Sequence, residues 1–410
     1  MRAAAVVLFL LILLSGCSSP EETVSPPARL KLPPAPTEVH VDSDIDNLLN
    51  IAYGASVVHR TGEHHLEQSA VHAIDGIGTT AWFSPPGGAS QTMLFSLPTE
   101  SRIERLGVSV TADVARVPAE VKFEISADGE LWREVLVMKP EPTAATQLED
   151  ILHSRATHLR VSTGGDPRHW AVLRSIHAVG HELSPVKPRT IAGCWTVNEM
   201  PSTFMQQGAS VIGEFRGERG VIVDGGISGP VVRLMWMRGP LWGYAALTLA
   251  PDSRTLSALT FHEEMVVEYA GAAWFGERVE ECEPSALASP AQRILDHARR
   301  WSMFGLAFDD HDRLVGEASR PALDTAAALI AAKPSSRFAI VVHEYRSAES
   351  EENRRHASVR ADEIRTALTN LGVDLSRVEF EAAGSERNIA PVTLTIQRLL
   401  SSRADLELRE

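Results

Sequence analysis

The rhythm of apolar and polar positions changes several times along the chain, and each change marks a different kind of structure. Ala3 to Leu14 is an unbroken apolar run, too short for the roughly 20 residues that a bilayer core requires. From Ser18 to residue 46 Pro, Ser, Glu and Thr dominate, as in Leu32-Pro33-Pro34-Ala35-Pro36. Such a stretch buries too little surface to fold and reads as an extended tether. Over residues 47–182 short apolar runs alternate with turn signals, with strands expected at Ile103 to Val110, Val121 to Ile125 and Leu159 to Val161. That spacing predicts an all-β sandwich or barrel. Past a linker from Leu183 to Arg189, similar runs fill residues 190–283: Val221 to Val223, Val231 to Met237, Tyr244 to Leu249 and Thr255 to Phe261. They predict a β meander or a small up-and-down barrel. Over residues 291–410 the period lengthens. Strands are expected at Trp301 to Phe308, Phe338 to His343, Val378 to Ala382 and Leu406 to Leu408, and a helix at Pro321 to Ala332. A second helix carries Ala357, Ala361, Ile364, Leu368 and Leu371 on one face, with Gly372 placed to cap it, and together these predict an α+β layer.

The chain is therefore multidomain, and its 410 residues, 44% of them hydrophobic, supply enough apolar material for several cores. A formal charge of -14 disfavours nucleic acid or an anionic lipid surface as the main partner. No enzyme signature is complete. Gly226-Ile227-Ser228-Gly229 lacks the spacing of a nucleophile elbow, and His262-Glu263-Glu264 has no second His four residues after the first. His59, His64, His65 and His72 invite a metal reading, but adjacent His64 and His65 do not face one ion from an extended chain, and no Cys or carboxylate spacing joins them. No metal site is expected.

Arg2, the apolar run and Leu14-Ser15-Gly16-Cys17 form a secretory leader that resembles the bacterial lipobox over residues 1–17. The resemblance implies cleavage before Cys17 and acylation of its thiol, which makes the membrane anchoring stable. Ser18 beside that Cys implies the outer membrane, with the domains in the periplasm or on the cell surface. Cys194 and Cys282 then remain as an even pair in an oxidising compartment, where a disulfide is the expectation and two buried free thiols the alternative.

Asn50-Ile51-Ala52-Tyr53-Gly54-Ala55, Ala73-Ile74-Asp75-Gly76, Thr80-Ala81-Trp82, Ile125 to Trp132, Ala156 to Val161 and Ile176 to Gly180 together resemble the discoidin domain, or coagulation factor 5/8 C-type domain. The resemblance implies a galactose-binding-like jelly roll whose loops bind glycans or lipid head groups. Trp82 and Trp132 fall on framework positions. Trp170, with Arg168 and His169 before it, falls in a loop, where it reads either as a lid over the sandwich end or as an indole that stacks on a sugar ring. Members that hold calcium use oxygen ligands where this chain has Ile77 and Ser175, although Asp75 and Thr80 remain. No cofactor is expected, with calcium the weaker alternative. At the head of the next segment Gly193-Cys194-Trp195 is similar to the Gly-x-Trp of lipocalin barrels, a match of three residues only.

Phe308-Asp309, Leu323-Asp324, Pro334, Asn353, Arg360-Ala361, Leu371-Gly372-Val373, Arg377-Val378 and Gly384 resemble the OmpA-like domain that grips peptidoglycan. In that family an Asp after the second strand and an Arg in the following helix clamp the diaminopimelate of the peptide stem. Register from Asn353 puts Arg360 on the Arg and Tyr345 on the Asp, so half of the clamp is replaced. Glu344 offers a carboxylate nearby, but as the strand neighbour of the clamp position it is expected to point the other way. The resemblances imply a non-catalytic outer-membrane lipoprotein that binds envelope polymers: glycan through the discoidin-like domain and peptidoglycan, weakly or not at all, through the OmpA-like one. The alternative is an envelope scaffold whose domains bind proteins.

Overall fold

The computed structural model describes residues 47–409 apart from 88–89, 165–169, 218–219, 263–270, 281–286, 348 and 387–394. The leader, Cys17, the tether and Cys282 lie outside the described residues.

The first domain has seven strands: β1 (Ser56–Arg60), β2 (Trp82–Phe83), β3 (Gln91–Val110), β4 (Glu120–Ser126), β5 (Arg133–Met138), β6 (Gln147–Gly164) and β7 (Val172–Glu182). Their order is β2-β7-β3-β6-β4-β5, with β1 beside β3. The 20-residue β3 breaks register with β6 between Ser96 and Ser101 and pairs with β7 only from Ser101 on. A break of this kind bends the strand, and the sheet folds over its own core of Trp82, Phe95, Phe123 and Leu159 as a β-sandwich.

Eight strands then close a barrel: β8 (Gly193–Val197), β9 (Met200–Gln207), β10 (Ser210–Phe215), β11 (Val221–Ser228), β12 (Val231–Arg238), β13 (Leu241–Leu249), β14 (Thr255–His262) and β15 (Ala273–Val279). Of the two arrangements left open by the sequence, the barrel is the one formed: β15 returns to pair with β8. Trp195, Phe204, Phe215, Leu234, Trp236 and Leu247 fill the interior. The alternating positions Met235, Met237, Tyr244, Ala246, Leu259 and Phe261 are also buried, in a cluster shared with the flanking domains. This is why β12 to β14 read as continuous apolar runs rather than alternating ones. Cys194 is disulfide-bonded and lies opposite Val279 in the β8–β15 register.

The C-terminal domain runs α1 (Ala291–Ala298), β16 (Arg300–Ser302), α2 (Gly316–Ala332), β17 (Arg337–His343), α3 (Ser350–Asn370), β18 (Val378–Gly384), α4 (Thr395–Ser401) and β19 (Arg403–Arg409). The mixed sheet has the order β16-β19-β17-β18, with only β17 and β18 parallel. Ala357, Ala361, Ile364 and Leu368 of α3 are buried, and Gly372, at φ +76, ends the helix as the sequence predicts. Two expectations are corrected. The strand read over Trp301 to Phe308 stops at Ser302, because Met303, Phe304 and Leu306 are buried as a plug in the shared core instead. The helix read from Pro321 starts at Gly316, with Ser319 fastening its first turn through hydrogen bonds with both the N–H and C=O of Ala307.

All three domains belong to one compact unit. Arg189, read as linker, is 8% exposed and donates to Pro98 O of the sandwich and Leu249 O of the barrel. Gly54 holds φ +101 where a Cβ would come 2.2 Å from Pro230 Cγ, and a Cβ on Gly226 would lie 2.1 Å from Phe304 O. Only glycine allows the backbones this close.

Candidate functional site

Charged side chains converge where Arg360 of α3 meets the end of β17 and the turn between Phe308 and Leu314. Arg360 is 15% exposed; its Nε donates to Asp312 Oδ1 at 2.8 Å, its Nη1 pairs with Glu344 Oε2, and its guanidinium lies 4.6 Å over the Phe308 ring. Asp312 comes from the turn bridged by Phe308 and Leu314, at φ +62, a left-handed conformation that Asp tolerates. It also takes Arg346 and, at 2.5 Å, His356 Nδ1. Burial alone would raise the Asp312 carboxyl, but hydrogen bonds from His356 and Arg360 and the charges of Arg360 and Arg346 hold it below its ordinary value.

The expectation that Glu344 points away is overturned. Strand alternation puts it on the face of Val342, which shares a core cluster with Ala357 and Ala361 of α3, so its carboxylate meets Arg360. Tyr345 turns elsewhere: its N–H donates to Ser402 Oγ at 3.2 Å, and the Arg398 guanidinium lies 5.1 Å from its ring centroid. Asn353 is fully buried, accepts from the N–H groups of Arg346 and Ser347 and donates to Ser347 O, so these three bonds go into holding the β17–α3 loop. Of the three residues carried from the family pattern, only Arg360 opens onto a cleft.

That cleft, about 490 Å³, is lined by all three domains: Tyr53 from the sandwich, Pro230 and Arg233 from the barrel, and Phe308, Glu344 and Arg360 from the C-terminal domain. Arg233 donates to Ser402 O at 2.6 Å and lies 5.1 Å over Phe304. Burial lowers its guanidinium to about 10, with the Arg360 charge acting the same way and Glu344 opposing. Behind the cleft Asp405 is fully buried. Burial would raise its carboxyl, but the Arg403 charge and hydrogen bonds from His343 and Ser302 hold it far below the carboxylate range.

At the sandwich end Trp170 is 36% exposed, and its ring lies 4.8 Å from that of His64, tilted by 32°, with Arg116 5.8 Å from its centroid. Arg168 and His169 lie outside the described residues. The residues present do not fit a calcium ion: Asp75 Oδ1 accepts the Ile77 N–H at 2.7 Å, and both its oxygens take the Thr80 hydroxyl. His72 is fully buried, with Nδ1 against Ser69 and Nε2 against Gly271 O. Burial takes it down to about 4. Sequence reasoning missed Asp312 and Arg233 as parts of the cleft, and His64 as the partner of Trp170. The charged run Asp309-Asp310-His311-Asp312 beside Phe308 was the one available signal.

Residues 308–398 match the model of the OmpA family. No curated protein matches the sequence. Among solved structures, the chain is similar to the C-terminal domain of a chitobiase from Bacteroides fragilis, at 18% identity over 32% of this chain and 96% of that one, with a TM-score of 0.30. It is also similar to the family 32 carbohydrate-binding module from C. perfringens NanJ in complex with galactose, at 12% identity over 30% of this chain and 98% of that one, with a TM-score of 0.27. A third is chitosan-binding module 1 from a chitosanase/glucanase of Paenibacillus sp. IK-5, at 19% identity over 32% and 98%, with a TM-score of 0.28. The C-terminal part of the chain is an OmpA-like domain.

Proposed function

We propose that the protein is a non-catalytic outer-membrane lipoprotein, anchored through Cys17, that binds envelope polymers. Its OmpA-like domain takes the peptide stem of peptidoglycan weakly at Arg360, and its sandwich takes glycan at the Trp170 end, where an exposed indole is braced by His64. The observation that carries the wall reading is the state of Arg360, which faces the cleft but is already balanced by Asp312 and Glu344. A stem carboxylate must compete with these two, and no acid stands at position 345 to pair with the stem ammonium. Loss of one charge-assisted bond, about 1.5–3 kcal/mol, lowers affinity by roughly ten- to a hundredfold. Sacculus pull-down of the full chain tests this: weak wild-type binding that Tyr345→Asp strengthens supports the reading, and tight binding that ignores the substitution overturns it. The same internal pairing favours a second reading, a scaffold whose domains bind proteins. In that case wall pull-downs and glycan arrays are both blank.

A further inference from the structure

A second cavity, about 430 Å³, lies between the barrel wall and α2. Val223 points into the barrel, so the next residue on β11, Asp224, points out, and it is 4% exposed. Trp301 Nε1 donates to its Oδ1 at 2.7 Å, while its Oδ2 has a long 3.4 Å contact from Ser289 Oγ. No described Lys, Arg or His forms an ion pair with it. The residues facing it on the adjacent strands are Ile212 of β10 and Met235 of β12, neither titratable. The other titratable group lining the cavity is Asp324 of α2, exposed and paired with Arg320 at 2.7 Å. Burial raises the Asp224 carboxyl to about 7 despite its two hydrogen bonds.

A carboxylate buried without a counter-charge is costly, and this one borders a space of small-molecule size. One buried carboxylate in a partly apolar wall is too few hard oxygens for calcium or magnesium. An anion would meet like charge. We propose that the cavity binds a small organic ammonium compound, its charged nitrogen on Asp224 Oδ2 and its hydrocarbon part against Met205, Ile212 and Ala322. The ammonium supplies the missing counter-charge and the apolar wall accepts the rest. This site is separate from the cleft at Arg360 and does not depend on wall binding.

The test is calorimetric titration of the purified full chain with benzylamine, and with benzyl alcohol as its uncharged counterpart. Benzylamine should bind saturably at pH 8 and about tenfold more weakly at pH 6, since it keeps its charge while Asp224 loses its own. Asp224→Asn, which keeps an acceptor for Trp301, should weaken binding at least about tenfold. Ala328→Trp, at an exposed lining position, should block the cavity without touching Asp224. No heat at pH 8, equal binding of benzyl alcohol, or unchanged affinity in either variant would overturn the proposal.

Discussion

Ser56 and Ser257, 201 residues apart in sequence, share a hydrogen bond of 3.1 Å between side chains that are both fully buried. The Ser257 hydroxyl also accepts the Val57 N–H at 3.1 Å and lies 3.2 Å from Thr248 Oγ1. One oxygen thus ties the first strand of the sandwich to the barrel. Replacing Ser257 by Val leaves those donors buried without it, a loss of about 1–3 kcal/mol. The expected outcome is a lower denaturation midpoint with sandwich and barrel still unfolding in one transition, followed by tryptophan fluorescence and circular dichroism together. Two separated transitions in the wild type would refute the shared core.

Two buried titratable groups tilt stability in opposite directions with pH. Asp224 rises from 3.8 to about 7 on folding, so its contribution is fully present below pH 3.8 and is lost as pH rises through about 7. His72 falls from 6.5 to about 4, so its contribution is present above pH 6.5 and is lost as pH falls through about 4. Each is worth a few kcal/mol at most, and in the wild type they largely offset between pH 4 and 7. Asp224→Asn should therefore make stability climb with pH over that window, and His72→Gln should make it decline. Urea melts at pH 4, 5.5 and 7 give the slopes, and parallel slopes in the two variants would contradict this account.

Cys194 lies opposite Val279, and Cys282 follows three positions later, so the chain leaving β15 starts beside the thiol of β8. We expect Cys194 and Cys282 to be joined. The bond would close a loop whose constraint on the unfolded chain is on the order of 4–5 kcal/mol in the entropic view. Peptide mapping of unreduced protein should recover the two as one cross-linked fragment. Alkylation of both thiols without reductant would rule it out.

What the sequence made legible follows from the range of each interaction. Strands of the sandwich and barrel and the long helix α3 announce themselves through local periods and local stops such as Gly372. The junctions do not: Met235, Tyr244 and Phe261 face neighbouring domains, and nothing in their own strands says so. The same junction misled the reading of Trp301 to Phe308, whose apolar residues serve the plug rather than a strand. Short α1 and α4 lack the length over which a 3.6-residue period becomes visible. At the cleft, Arg360 was readable by register, but its pairing with Asp312 spans 48 residues and depends on how the Phe308–Leu314 turn folds back.

That pairing changes what a substitution at Arg360 measures. Removing the guanidinium strands two carboxylates that are 4% and 3% exposed, Asp312 and Glu344, although Arg346 still reaches both. Breaking a buried pair from one side costs about 3–5 kcal/mol, and the retained Arg346 should keep this case at the lower end. Arg360→Ala is therefore expected to destabilise the domain as well as weaken wall binding, and by itself it does not separate the two effects. Glu344→Gln does: it removes one internal competitor, leaves Asp312 to hold the side chain, and keeps an acceptor of nearly the same shape. Sacculus binding should rise with Glu344→Gln, rise further when Tyr345→Asp is added, and fall back when Arg360→Ala is placed on that double variant. Thermal melts of each protein show which changes come from folding. If Glu344→Gln folds normally and leaves wall binding where it was, Arg360 is a structural residue of the cleft and does not hold the peptide stem.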